Sequence, residues 1–138
     1  MELYNNKNYE GCVAELLNKD FSIENNLYMA LSLHHLRKYD VAMNYFIVIK
    51  SYFENAKDRD YEFYKKMFFY AECLYTNKYY HNCQEVTRTL INNTTKDKKL
   101  LIQIAYVLLI ASCESDLEKG YPILKEYINF GLSTDENI

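Results

Sequence analysis

Residues 74–83 read LYTNKYYHNC, and residues 3–12 read LYNNKNYEGC. Six of the ten positions are identical in the two stretches. A looser copy, LHHLRKYDVA at residues 33–42, keeps the leucine, the second tyrosine and a small final residue, and ASCESDLEKG at residues 111–120 is a fourth. A stretch that recurs at intervals through one chain indicates a repeated structural unit rather than a single site.

Each copy follows one segment with helical apolar spacing and begins another. Before Leu74, apolar residues follow Phe63 at i+4, i+7, i+8 and i+11, which places them on one face of an amphipathic helix. Ser22 before Ile23 is predicted to cap one helix, and Ser115 with the glutamate three residues later fits a capping box. The repeating unit is therefore predicted to be helix, turn, helix.

Glycine and proline are scarce, with three Gly and one Pro in 138 residues. Sandwiches and barrels use these residues at their turns, so the composition favours long helices joined by short loops. We expect an all-α fold in one domain, residues 1–132, with a polar tail at 133–138. The predicted repeats are 1–20 (partial), 22–55, 60–92 and 97–131.

A helix pair of about this length, with an aromatic opening its second helix and a small residue three positions later, resembles the tetratricopeptide repeat (TPR). Tyr39 and Tyr80 stand at the aromatic position of that family. Paired helices approach closely where both side chains are short, and the small residues here are Ala30, Ala42, Ala71 and Cys83. The resemblance implies an antiparallel helix-pair solenoid of about 3.5 degenerate repeats, wound as a right-handed superhelix.

The chain departs from the TPR pattern in several places. The family's Trp and terminal Pro are missing, Thr87 stands where Phe46 supplies an aromatic, and Leu108 replaces a small residue. About seven extra residues lie between the second and third copies, and we expect two extra helical turns within residues 46–66 to absorb them.

The first repeat is predicted to be incomplete, because Leu3 already occupies the last apolar position of its first helix. Stacked helix pairs need a cap at each end. Upstream sequence, a partner or a second copy would then supply the missing helix; alternatively, a short first helix simply frays.

Charge and hydropathy exclude several classes of partner. The net charge is −3 and the basic residues occur in scattered pairs, so no nucleic-acid partner is predicted. The apolar run at residues 104–111 is too short to span a bilayer, and the N-terminus does not resemble a signal peptide. We expect no membrane association and an intracellular location, cytoplasmic or nuclear. The four cysteines are expected to be free thiols.

Cys73, His81 and Cys83 are close in sequence and suggest a metal site, with Cys12 or Cys113 as a fourth ligand. Their spacing does not match the paired ligands of zinc sites. No nucleophile and base, phosphate loop or pair of carboxylates in a cleft is recognisable. We therefore predict no metal, no cofactor and no catalytic residue.

The TPR resemblance implies a concave groove that holds a peptide or a helix of a partner. Aligning the first helices of the repeats predicts its residues as Tyr28, Leu31, His35, Lys65, Lys66, Phe69, Gln103 and Tyr106. Leu3 and Tyr4, at the incomplete first repeat, are predicted to mediate self-association. Tyrosines at such positions can equally be core residues.

Residues 69–83, FYAECLYTNKYYHNC, resemble the N-terminal repeats of the large TPR subunits of the anaphase-promoting complex, which dimerise through such repeats. This resemblance implies a non-catalytic scaffold or adaptor with a role in the cell cycle. Its partner would be a protein or peptide, with a second copy as one candidate. The alternatives are a bundle like the mitochondrial fission adaptor and an enzyme accessory or metal-binding helical protein.

Overall fold

The computed structural model describes residues 2–55 and 60–93, together with residues 105, 108, 109 and 112. Every regular element in this part of the chain is an α-helix, which confirms the predicted all-α class. The helices are α1 (Glu2–Asn5), α2 (Tyr9–Leu16), α3 (Ile23–His35), α4 (Tyr39–Val48), α5 (Lys50–Asn55), α6 (Tyr61–Thr76) and α7 (Tyr80–Asn93).

The chain divides into two compact units, Met1–Arg59 and Asp60–Ile138. In the first unit, α3 packs against both α2 and α4. In the second unit, α6 packs against α7. Each of the pairs α3–α4 and α6–α7 is two packed helices joined by a short turn, as the helix, turn, helix unit predicts.

Side-chain caps determine where the first helix of each pair begins. Ser22 has extended backbone, and its Oγ accepts a hydrogen bond of 2.9 Å from the Asn25 N–H, as predicted. Asp60 caps α6 in the same way, because its Oδ1 accepts from the Phe63 N–H at 2.9 Å. Each cap satisfies a backbone donor that has no partner within the helix.

The three copies of the repeated stretch that fall in the described residues form the same turn. In the first copy, the Asn8 N–H donates to the Leu3 carbonyl at 2.9 Å and the Lys7 N–H donates to the Tyr4 carbonyl at 3.0 Å. The other two copies make the equivalent bonds at 2.9–3.0 Å. This is the Schellman motif, which ends a helix with one residue in the left-handed region. A basic residue occupies that position each time: Lys7 (φ 61°), Arg37 (φ 61°) and Lys78 (φ 68°).

Two aromatic rings meet edge to face across each turn. The pairs are Tyr4–Tyr9 (5.6 Å between ring centroids), His34–Tyr39 (5.4 Å) and Tyr75–Tyr80 (5.7 Å). Three residues after the second ring, the small residue is fully buried in each of these three copies: Cys12, Ala42 and Cys83. Its predicted counterparts on the first helix, Ala30 and Ala71, are also fully buried.

The prediction that two extra turns lengthen a helix within residues 46–66 is wrong in one respect. The chain does form extra helical structure there, but as a separate short helix. Helix α4 ends at Val48, and its C-cap Ile49 leaves the helical region at φ −106° and ψ 23°. The following helix, α5, buries Phe53, whose ring lies 6.1 Å from that of Phe46. The chain therefore buries Ile49 at a break in the helix and Phe53 on α5, rather than both along one longer α4.

The core of the second unit includes two polar side chains on α7. Thr87, at the position of Phe46 in the first unit, is fully buried, and its hydroxyl donates to the Cys83 carbonyl at 2.7 Å. Gln84 is buried, and its amide donates to the Ser112 carbonyl at 3.1 Å. Both groups therefore have the partners that buried polar atoms require.

Most of the predicted fourth repeat, 97–131, lies outside the described residues, as do Ser115 and the tail at 133–138. The four residues of that repeat that are described are all buried: Ala105, Leu108, Leu109 and Ser112.

Candidate functional site

Three tyrosines and a histidine meet at the first turn of the first unit; we call Tyr4, Tyr9, Tyr28 and His35 the aromatic cluster. The Tyr4 ring lies 5.6 Å from that of Tyr9 across the turn and 5.3 Å from that of Tyr28 on α3. The His35 ring stacks on Tyr9, with 4.3 Å between centroids and 8° between planes. The cluster thus joins α1, α2 and α3.

A hydrogen bond helps to hold this arrangement. The Tyr4 hydroxyl lies 3.3 Å from His35 Nε2, and the tautomer of the histidine decides which atom donates. His35 is exposed, and the three tyrosines are partly exposed. The cluster therefore leaves part of the surface of three tyrosines and a histidine exposed, and tyrosine is enriched where proteins bind one another.

The two neighbouring histidines at the end of α3 have different surroundings. His34 is buried, and its ring meets Tyr39 edge to face at 5.4 Å. His35 lies in the aromatic cluster and is exposed. His34 thus belongs to the repeated turn, and His35 is the one available at the surface.

The structure brings together three of the predicted binding residues, namely Tyr4, Tyr28 and His35. Leu31, by contrast, is fully buried and contributes no surface to a groove. Leu3 is partly buried. The cluster also contains Tyr9, the second tyrosine of the stretch at residues 3–12, for which no binding role was predicted. Its identity with Tyr80 in the repeated stretch was the signal for a structural role.

The other predicted groove residues belong to the second unit or lie outside the described part of the chain. On α6, Lys65 is exposed, while Lys66 and Phe69 are partly exposed. Lys65 and Phe69 are four residues apart and so share one side of the helix. Gln103 and Tyr106 lie outside the described residues. Their part in binding stays a prediction.

The cysteines of the described residues are buried free thiols, as predicted: Cys12, Cys73 and Cys83. Burial, with a smaller contribution from the negative charge of Glu72, raises the pKa of Cys73 to about 12. A thiol that stays protonated at neutral pH is a poor nucleophile and a poor metal ligand. Cys73 therefore contributes to packing in the core and not to a reactive or metal-binding site.

The residues that suggested a metal site differ in their surroundings. Cys73 and Cys83 are fully buried. The side chain of His81 is 76% exposed, and its Nε2 lies 3.3 Å from Glu85 Oε1 on the next turn of α7. Across residues 2–55 and 60–93 and the four described further on, no three His, Cys, Asp or Glu side chains are placed to hold one ion.

Comparisons with protein families, curated proteins and solved structures found no match for this chain. Among the helices of the described residues, none is both long enough and apolar enough to cross a membrane.

Proposed function

We propose that this chain is a non-catalytic helical-repeat module that binds another protein, with the aromatic cluster as its binding surface. The observation that carries the proposal is the meeting of Tyr4, Tyr9, Tyr28 and His35 at one partly exposed place. Tyrosine offers a large contact area with few rotatable bonds and a hydroxyl that can hydrogen-bond, and it is enriched among the residues that dominate binding energy.

The cluster is also held in place before any partner arrives. The Schellman turn sets Tyr4 beside Tyr9, and His35 stacks on one ring while it hydrogen-bonds to the other. Side chains that are already ordered lose less entropy on binding, which leaves more of the contact energy as affinity.

Two finer proposals follow from the resemblance to TPR repeats. The helix pairs would stack as a solenoid, and Lys65, Lys66 and Phe69 would extend the binding surface along it. The chain would then act as a scaffold or adaptor subunit of a larger assembly, of the type of the anaphase-promoting complex. Support for both is the recurrence of one turn, one ring pair and one buried small residue in three copies.

Selection from a library of random peptides displayed on phage tests the binding surface. We expect selected peptides to lose at least about tenfold in affinity for Tyr28→Ala and for His35→Ala, the loss expected for residues that dominate binding. The matched control is Tyr75→Ala, which removes a ring from the equivalent turn of the second unit. The affinity of the selected peptides for Tyr75→Ala should change less than about twofold.

Thermal unfolding of each variant separates lost binding from lost folding. The proposal fails if the library yields no binder, or if the selected peptides bind the two cluster variants as tightly as the original chain.

A further inference from the structure

The corner between α2 and α3 carries the two most exposed large hydrophobic side chains of the described residues. Leu17 is 64% exposed and Phe21 is 70% exposed. Single exposed hydrophobic residues are common on protein surfaces, but two beside one cavity form a patch. We call Leu17, Lys19, Asp20 and Phe21, with the cavity they line, the corner patch.

The cavity has a volume of about 200 Å³ and lies entirely within the first unit. Its lining includes two buried side chains, Leu16 and Met29, and Tyr45 of α4. Sites for small molecules are usually larger, about 300–1,000 Å³. The cavity therefore suits the insertion of a single large side chain.

Lys19 and Asp20 are adjacent in sequence, carry opposite charges, are exposed and line the cavity. Neither has an ion-pair partner within the described part of the chain. The Asp20 backbone is held in place, since its carbonyl accepts a hydrogen bond of 3.2 Å from the Asn25 amide. The patch thus offers a cation and an anion, neither paired within the described residues, on a stretch whose backbone is held at Asp20.

We propose that the corner patch is a homodimer interface in which each copy inserts Phe21 into the cavity of the other. In a two-fold symmetric contact the same patch meets itself, so it must contain each projection with its recess and each charge with its opposite. The corner patch holds Phe21 beside a cavity and Lys19 beside Asp20. In the dimer, Lys19 of each copy faces Asp20 of the other.

A different protein would need both a side chain that fits the cavity and a surface that covers Phe21. A second copy carries both by symmetry, because Phe21 and the cavity belong to the same patch. This interface is separate from Leu3 and Tyr4 and does not depend on the function of the aromatic cluster.

The dimer should be weak. Nine residues line the cavity, whereas a stable interface uses about 20–30 residues from each partner. We expect a dissociation constant between about 1 and 500 μM, so the oligomeric state should change with protein concentration.

Sedimentation equilibrium of the full chain, from about 1 to 500 μM, measures the dimer directly. Phe21→Ser should weaken it at least about tenfold. The matched control is Tyr79→Ser, which alters another exposed aromatic residue and should leave the dimer unchanged. Because Phe21 is 70% exposed, the substitution should not affect helicity, and circular dichroism checks this.

Charge reversal tests the pairing. In a dimer of Lys19→Asp, the two acids of one copy would face the two acids of the other. In a dimer of Asp20→Lys, two lysines would face two lysines. Each variant alone should therefore dimerise at least about threefold more weakly. Mixing the two variants should restore a heterodimer, and the chain carrying both changes should regain self-association.

Three results would overturn the proposal. One is a chain that stays monomeric over the whole concentration range. Another is a dimer that persists in Phe21→Ser but is lost on replacing Leu3 and Tyr4 by charged residues. The third is a monomer whose library-selected peptides bind at Phe21, which would assign the corner patch to a different protein.

Discussion

Helices α4 and α7 are the second helices of two helix pairs, and they follow the same turn. Each buries a small residue in its first turn, Ala42 or Cys83, and a residue four positions later, Phe46 or Thr87. Their outward faces differ. Beside Asp40 and Asn44, helix α4 exposes three aliphatic side chains, Val41, Ile47 and Val48, each between 40% and 54%. Helix α7 exposes polar residues instead: His81, Asn82, Glu85, Arg88, Thr89, Asn92 and Asn93.

This difference shows which features of the helix pair recur between copies and which vary. The turn, the ring pair and the buried small residue recur because they set how the two helices pack. The outward face does not affect that packing, so it can differ between copies. Three exposed aliphatic side chains on one short helix, as on α4, are unusual for a helix in contact with water.

The largest difference between the two helices should appear when their equivalent core residues are shortened. Phe46→Ala should lower the free energy of unfolding by about 3–5 kcal/mol, because it removes a fully buried ring from between α4 and α5. Thr87→Ala should cost only about 1–2 kcal/mol, since less volume and one hydroxyl within the helix are lost. Urea unfolding followed by far-UV circular dichroism measures both.

Equal losses for the two variants would mean that Phe46 and Thr87 carry the same share of core packing. The contrast between the two helices would then be limited to their surfaces.

An alkaline pH should weaken the second helix pair through Cys73. Burial raises the pKa of Cys73 from 9.0 to about 12. Between these values the unfolded chain loses the thiol proton while the folded chain keeps it. Folding stability should therefore fall as pH rises, by up to about 1.4 kcal/mol per pH unit from this group.

Cys73→Ala should remove this contribution to the fall of folding stability with pH. The free energy of unfolding of the original chain and of Cys73→Ala, each measured at pH 9 and at pH 10.5, tests this. The equivalent position on α3 is Ser32, which is also fully buried but does not titrate in this range. Ser32→Ala should leave the slope unchanged. Parallel curves for Cys73→Ala and the original chain would contradict the shift.

The smallest expected effects concern the turns, where the two units should respond alike. Lysine and arginine are strained in the left-handed region, whereas glycine is not. Arg37→Gly and Lys78→Gly should each raise the free energy of unfolding by about 0.5–1 kcal/mol, measured at about 0.5 M salt to screen the lost charge. Lys38→Gly is the matched control, since Lys38 has φ −95° and should gain nothing.

A gain at only one of the two turns would show that the copies share their geometry but not their strain.

Much of the helix pairing could be predicted from the repeated stretch. Leu74, Tyr80 and Cys83 occupy the same positions in their copy of the stretch as Leu33, Tyr39 and Ala42 do in theirs. The structure forms the same turn in the two copies. The apolar spacing and the Ser22 cap likewise predicted where α3 begins. Local signals were sufficient here because each feature depends on residues close in sequence.

The break after α4 could not be predicted in this way. Phe46, Ile49 and Phe53 follow at i, i+3 and i+7, so a continuous helix would also place them on one face. The aromatic cluster depends on tertiary packing as well, because Tyr9 meets His35 only when α3 packs against α2. Spacing along the chain contains neither fact.

The hydrogen bond between Gln84 and Ser112 limits how the molecule can be divided into fragments. A piece that ended with α7 would keep the whole of the α6–α7 pair and the repeated turn between its helices. It would also lose the acceptor of the Gln84 amide and the buried residues Ala105 and Leu109. Apolar surface of the second unit would then face water. The smallest piece of the second unit that folds independently should therefore extend past Ser112, even though the sequence repeat places a boundary twenty residues earlier, at 92.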